Sequence, residues 1–127
     1  MSAYLIEREK DELTKPVTRT LTFPDGTAHE LTMSAVHWRW YDRIDAYEFG
    51  KGAGFMLSMA QSMEKRDDNI AAGWTLSSIL EYVIDHEVRF ADKIGLDLTE
   101  TDLDLQLMVA KRATMRFHAR NPKKPKS

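Results

Sequence analysis

The feature that most restricts the fold of this chain is a predicted β-hairpin that leads directly into a helix. Threonines alternate with larger side chains from Val17 to Phe23, and a second β-like run follows from Thr27 to Met33. Pro24-Asp25-Gly26 lies between the two runs. It predicts a tight turn, because proline presets φ and glycine accepts a positive φ.

Strand alternation divides the side chains of the second run between two faces. Leu31 and Met33 share one face with His29, and we expect His29 and the downstream His37 to flank the core as polar side chains. The opposite face is polar and rich in threonine, and on the second strand it carries Ala28, Glu30 and Thr32.

Ser34 is a good N-cap for a helix from Ala35 to Tyr47. Its apolar stripe recurs at three-residue steps and consists of Trp38, Tyr41 and Ile44, with Trp40 elsewhere on the helix. The glycine cluster from Gly50 to Gly54 predicts that this helix ends in a flexible connection.

Two more amphipathic helices follow. One is predicted from about Gly54 to Arg66, and it is separated from the next by a solvated break at 66–69. Its apolar face comprises Phe55, Met56, Met59, Ala60 and Met63. The next helix is capped by Thr75 and ends at Gly95, and its apolar stripe comprises Leu76, Ile79, Leu80, Val83, Ile84, Phe90 and Ile94.

A last helix is predicted from Thr101 to His118, and Lys123–Ser127 are predicted to be disordered. With 127 residues, of which 43% are hydrophobic, the chain can bury one core of ordinary size. We therefore expect an N-terminal arm (1–15), a domain with a hairpin and three helices (16–95), a C-terminal helix (96–120) and a basic tail (121–127).

The order of these elements resembles the ribbon-helix-helix superfamily, in particular a bacterial branch with an added N-terminal strand and a third helix. Three segments of residues 16–94 carry the resemblance, and they read RTLTFPDGTAHELTM, LTMSAVHWRWYDRI and TLSSILEYVIDH. The expected fold is mainly α with an N-terminal hairpin and an extra C-terminal helix.

The resemblance implies an obligate homodimer in which one strand from each chain pairs antiparallel. Its core residues would be Leu31, Met33, Trp38, Tyr41 and Ile44. In that superfamily the central ribbon reads DNA bases and the start of the next helix contacts a phosphate. The DNA-binding residues implied here are Ala28, Glu30 and Thr32 on the strand, and Lys51, Gly52, Ala53 and Gly54 at the helix start.

The resemblance predicts a dimeric DNA-binding regulator, and the distribution of charge raises an alternative to it. All 20 acidic residues lie at or before Asp104, whereas seven of the 18 Lys and Arg residues lie from Lys111 onward. Residues 1–110 therefore carry 11 basic against 20 acidic residues, a net charge of −9, and residues 111–127 carry +7. An acidic body repels DNA phosphates, which speaks against a DNA-binding transcription regulator. The alternative is a protein-interaction module, antitoxin-like or phage- and plasmid-associated, that binds a partner through residues 96–127.

The sequence gives little support for an enzyme. His86 lies near Asp85 and Glu81, but no metal-ligand spacing is present, and a solvated helix face accounts for these residues. We expect no catalytic site, no metal and no cofactor. The absence of cysteine, of a long apolar run and of an apolar N-terminal stretch predicts a cytoplasmic protein without a membrane partner.

Overall fold

The hairpin forms where the alternation predicts it. The computed structural model describes residues 11–47, 52–93 and 125–126. Strands β1 (Pro16–Thr22) and β2 (Ala28–Ser34) pair antiparallel, with Arg19 opposite Leu31. A short helical turn at 11–14 precedes them, and the predicted C-terminal helix at 101–118 lies outside the described residues.

The turn between the strands uses the chemistry predicted from Pro24-Asp25-Gly26. Gly26 has a φ of +87°, and the Phe23 N–H donates to the Thr27 carbonyl at 2.8 Å. The Asp25 carboxylate accepts hydrogen bonds from the Thr27 hydroxyl at 2.6 Å and from its backbone N–H at 3.0 Å. These two bonds lower the pKa of the Asp25 carboxyl.

Helix α1 (Ala35–Tyr47) has the predicted bounds, and Ser34 caps it by accepting the His37 backbone N–H at 3.4 Å. The stripe residues Trp38, Tyr41 and Ile44 are buried as predicted, but Trp40 is buried too. Elements pack against both sides of α1, so its buried surface is wider than one stripe.

Helix α2 (Gly52–Glu64) begins two residues before the predicted start, so Gly52 and Ala53 lie in its first turn rather than in the connection. Phe55 was expected inside and is 39% exposed, whereas Leu57 is buried. The predicted break at 66–69 is wrong in part, because helix α3 (Asp67–Ala71) begins there and buries Asn69.

Helix α4 (Leu76–Lys93) is capped as predicted, with the Thr75 hydroxyl accepting the Ser78 N–H at 3.1 Å. Its buried stripe continues from Ile84 through Val88 and Ala91, and Phe90 is 51% exposed. Phe90 lies seven residues after the buried Val83, so it lies within about 20° of Val83 around the helix at 3.6 residues per turn. It therefore lies on the stripe as predicted, but its side chain is half exposed.

One hydrophobic core joins the inner face of the hairpin to α1, α2 and α4. Helix α4 packs against α1, α2 and β2. It covers the apolar surface that the predicted dimer would bury against a second copy. All five expected dimer-core residues are consequently buried within a single chain, and they are Leu31, Met33, Trp38, Tyr41 and Ile44. Their burial in the described structure therefore does not require a second copy.

None of the helices in the described ranges has the length and apolar character that a membrane crossing requires.

Burial along α4 gives a direct test of the core. Ile84 is fully buried and Phe90 is half exposed, so we expect Ile84→Ala to lower the free energy of unfolding by about 2–5 kcal/mol, and Phe90→Ala by less than about 1 kcal/mol. Urea unfolding followed by circular dichroism measures both. Equal losses for the two variants would contradict the assignment of the buried face.

Candidate functional site

The hairpin presents a flat polar surface that we call the threonine face. Every second side chain of β1 is exposed on it, as are Ala28, Glu30 and Thr32 of β2, and the register places these side chains in opposing pairs. The pairs are Thr18 with Thr32, Thr20 with Glu30, and Thr22 with Ala28. The structure thus brings together the three strand residues that the sequence singled out for DNA reading.

The threonine face carries one negative charge, Glu30, and no positive charge. The one arginine of the hairpin, Arg19, lies on the opposite face, where its Nη1 donates to the two carboxylate oxygens of Asp42 at 3.1 and 3.2 Å. Its guanidinium also lies 4.5 Å from the centre of the Trp38 ring. Arg19 is therefore held by its own chain, and it adds no positive charge to the exposed face.

Helix α4 covers part of the outer edge of β2. The Ser77 hydroxyl accepts the Thr32 backbone N–H at 3.2 Å, and the Glu81 carboxylate accepts the Ser34 N–H at 3.4 Å. Side chains of α4 thus take hydrogen-bonding positions that a further strand would need. A second copy cannot pair with this end of β2 while α4 is in place.

The outer edge of β1 has a different environment. The Thr32 N–H points away from β1, so the backbone groups of Thr18, the residue opposite Thr32, point away from β2. In an antiparallel ladder this direction recurs at every second residue, so the backbone groups of Thr20 and Thr22 also point away from β2. In the described part of the chain the sheet contains two strands, so no third strand pairs with these groups. We call this row, Thr18, Thr20 and Thr22, the β1 edge.

The N-terminus of α2 was the predicted phosphate contact. Lys51 lies outside the described residues, while Gly52, Ala53 and Gly54 form the first turn. Ala53 is buried, and its N–H donates to the Asp45 carboxylate at 3.4 Å. A carboxylate of the same chain therefore already lies at this helix start, where a phosphate was expected.

A buried polar network joins the start of α1 to α4. The His37 Nε2 lies 2.8 Å from Asp85 Oδ1, the other ring nitrogen, Nδ1, is hydrogen-bonded to the Ser34 hydroxyl, and Glu81 meets the Ser34 N–H. His37 and Asp85 are both 0% exposed. The network ties the end of β2 and the first turn of α1 to one face of α4.

Serine, histidine and aspartate form the side-chain set of many nucleophilic enzymes, but here they have a structural arrangement. The Ser34 hydroxyl faces the α1 backbone as a helix cap, and all three side chains are buried. A substrate has no access to them in this conformation. Within the described residues, no group of three or more His, Asp or Glu side chains is placed to hold a metal ion.

Part of this network differs from the sequence prediction. Glu81 and Asp85 were expected on a solvated face with His86, yet both carboxylates are buried, and the side chain of His86 is 67% exposed. A signal was present, because the two acidic residues lie four apart beside the apolar stripe of α4, and Ser34 and His37 have the spacing of a capped first turn. His37 was correctly expected at the core.

Comparison with protein-family models, with curated proteins and with solved structures gave no significant match for this chain. The resemblance to the ribbon-helix-helix superfamily therefore stays a prediction.

The His37–Asp85 pair should contribute strongly to stability. Asp85→Ala leaves a buried imidazole nitrogen without its acceptor, so we expect the free energy of unfolding to fall by about 2–3 kcal/mol. Asp85→Asn retains a carbonyl acceptor and should lose less. The neighbouring His86→Ala is the matched control, since His86 is exposed, and it should change stability by less than about 0.5 kcal/mol. A neutral Asp85→Ala in urea unfolding would contradict the network.

Proposed function

We propose that this chain is a protein-interaction module that pairs with a second copy of itself through the β1 edge. The observation that carries the proposal is the outward row of backbone groups at Thr18, Thr20 and Thr22, beside which the described residues place no strand. Such a row is a template for antiparallel pairing with another chain.

The sequence of β1 suits pairing with itself. A two-fold axis at Thr20 sets Thr20 opposite Thr20 of the second copy, and Thr18 opposite Thr22. Each pair then exchanges backbone hydrogen bonds, and threonine faces threonine, a favourable cross-strand pair without like charges. The product is a four-stranded sheet with the strand order β2-β1-β1-β2, in which the two threonine faces are continuous.

This dimer keeps the expected antiparallel pairing of one strand from each chain, but it uses β1 in place of β2. The choice follows from α4, whose Ser77 and Glu81 cover the edge of β2. The apolar core is buried within one chain, so folding does not require the second copy that an obligate dimer would supply. Folded monomers should therefore be in equilibrium with dimers. The further contact expected through residues 96–127 lies almost wholly outside the described residues.

A DNA-binding regulator is the second candidate, and the observation in its favour is the common exposed face of Ala28, Glu30 and Thr32. The charges disfavour DNA binding, since Glu30 is the charged residue of that face and residues 1–110 carry a net charge of −9. The width of the four-stranded sheet disfavours it as well. Four strands about 4.8 Å apart are too broad to lie flat in a major groove about 12 Å wide. We therefore favour contact with protein.

Substitutions at Thr20 test the dimer without disturbing the hairpin. Thr20→Pro removes an N–H that points away from β2, so it should shift the monomer–dimer equilibrium towards monomer by at least about tenfold while the fold is retained. Thr20→Ser keeps the N–H and should dimerise like the wild type. Sedimentation equilibrium over a range of concentrations measures both dissociation constants, and circular dichroism checks the fold.

Two results would contradict the proposed interface. One is a wild-type chain that sediments as a monomer at hundreds of micromolar. The other is a Thr20→Pro variant that stays folded and dimerises as tightly as Thr20→Ser.

A selection from random DNA duplexes separates the two candidate functions. We expect the wild-type chain to enrich no sequence, and Glu30→Ala and Thr32→Ala to leave any DNA affinity unchanged, since that affinity would come from the basic residues after Lys111. A regulator would instead enrich a defined site, and each substitution would change the preference at one base pair by about 1–3 kcal/mol.

A further inference from the structure

The side chain of Asn69 holds the C-terminal end of the chain. Its Nδ2 donates to the Lys126 carbonyl at 2.6 Å, and its Oδ1 accepts the Lys126 backbone N–H at 2.7 Å. The second Nδ2 hydrogen goes to the Met63 carbonyl at 2.6 Å. One amide thus satisfies both main-chain groups of Lys126, as a residue of a neighbouring strand would.

The hydrogen bonds of Asn69 to the tail contact the main chain of Lys126. The preceding Pro125 is buried, and Lys126 is exposed. With the tail in place Asn69 is 1% exposed, and its Nδ2 also donates to the Met63 carbonyl. Both polar atoms of the Asn69 amide thus have directed partners, which distinguishes this contact from a chance surface contact.

Residues 123–127 were predicted to be disordered, and of these the structure describes Pro125 and Lys126, with two hydrogen bonds from Lys126 to Asn69. A basic, proline-containing tail has no hydrophobic core of its own, but here its main chain is hydrogen-bonded to the buried Asn69 amide.

We propose that Asn69 is the receptor of a C-terminal latch, and that its ligand is an extended Pro-Lys segment supplied by the tail of the same chain. The two hydrogen bonds join Asn69 to a residue 57 positions later in the chain. A peptide with the same Pro-Lys backbone competes for the site. This proposal does not depend on pairing through β1.

Two substitutions at one tail position test the latch without touching the core. Lys126→Pro removes the N–H that Asn69 Oδ1 accepts, whereas Lys126→Ala keeps both main-chain groups. In NMR spectra of the full chain we expect Lys126→Pro to shift the Asn69 side-chain NH2 signals and Lys126→Ala to leave them near their wild-type positions. The wild-type Lys126 amide should exchange at least about tenfold more slowly than an unstructured amide.

A second experiment adds the tail sequence as a separate peptide. A synthetic peptide of residues 121–127 is titrated into the labelled Lys126→Pro chain, and it should return the Asn69 signals saturably to their wild-type positions. The same peptide carrying Lys126→Pro is the control and should not. Asn69 signals that are identical in the wild type and in Lys126→Pro, or a peptide without effect, would overturn the proposal.

Discussion

The buried His37–Asp85 hydrogen bond is the contact on which the arrangement of the hairpin depends. It joins α1 to α4 at 2.8 Å, and Ser34 extends it to the end of β2. Because α4 is fixed there, Ser77 and Glu81 reach the outer edge of β2. The same packing therefore covers one edge of the hairpin and leaves pairing to the other edge.

Burial of polar groups in this position has a physical consequence for function. An imidazole and two carboxylates removed from water need directed partners, and the network supplies them from the capped turn of α1 and the backbone of β2. These bonds fix their orientation and join β2, α1 and α4. In the described part of the chain, the threonine face and the β1 edge are exposed for contacts.

Local chemistry made much of the fold predictable. The Pro24-Asp25-Gly26 turn, the Ser34 cap and the Thr75 cap all act within a few residues, and the structure has them as predicted. Long-range packing was not predictable, because sequence periodicity could not show that α4 covers β2 and completes the core within one chain. The exposed strand residues could be predicted from alternation, whereas Asn69 binding the tail 57 residues later could not.

The central claim is that β1 pairs with a second copy, and hydrogen exchange at single amides tests it most directly. Exchange of the Thr18, Thr20 and Thr22 N–H groups is compared with that of Glu30, whose N–H points outward from the other strand. The account predicts that the three β1 amides become protected as protein concentration rises, while Glu30 stays unchanged. Pairing through β1 would be contradicted if the β1 amides were not protected, or if their protection were the same at every protein concentration.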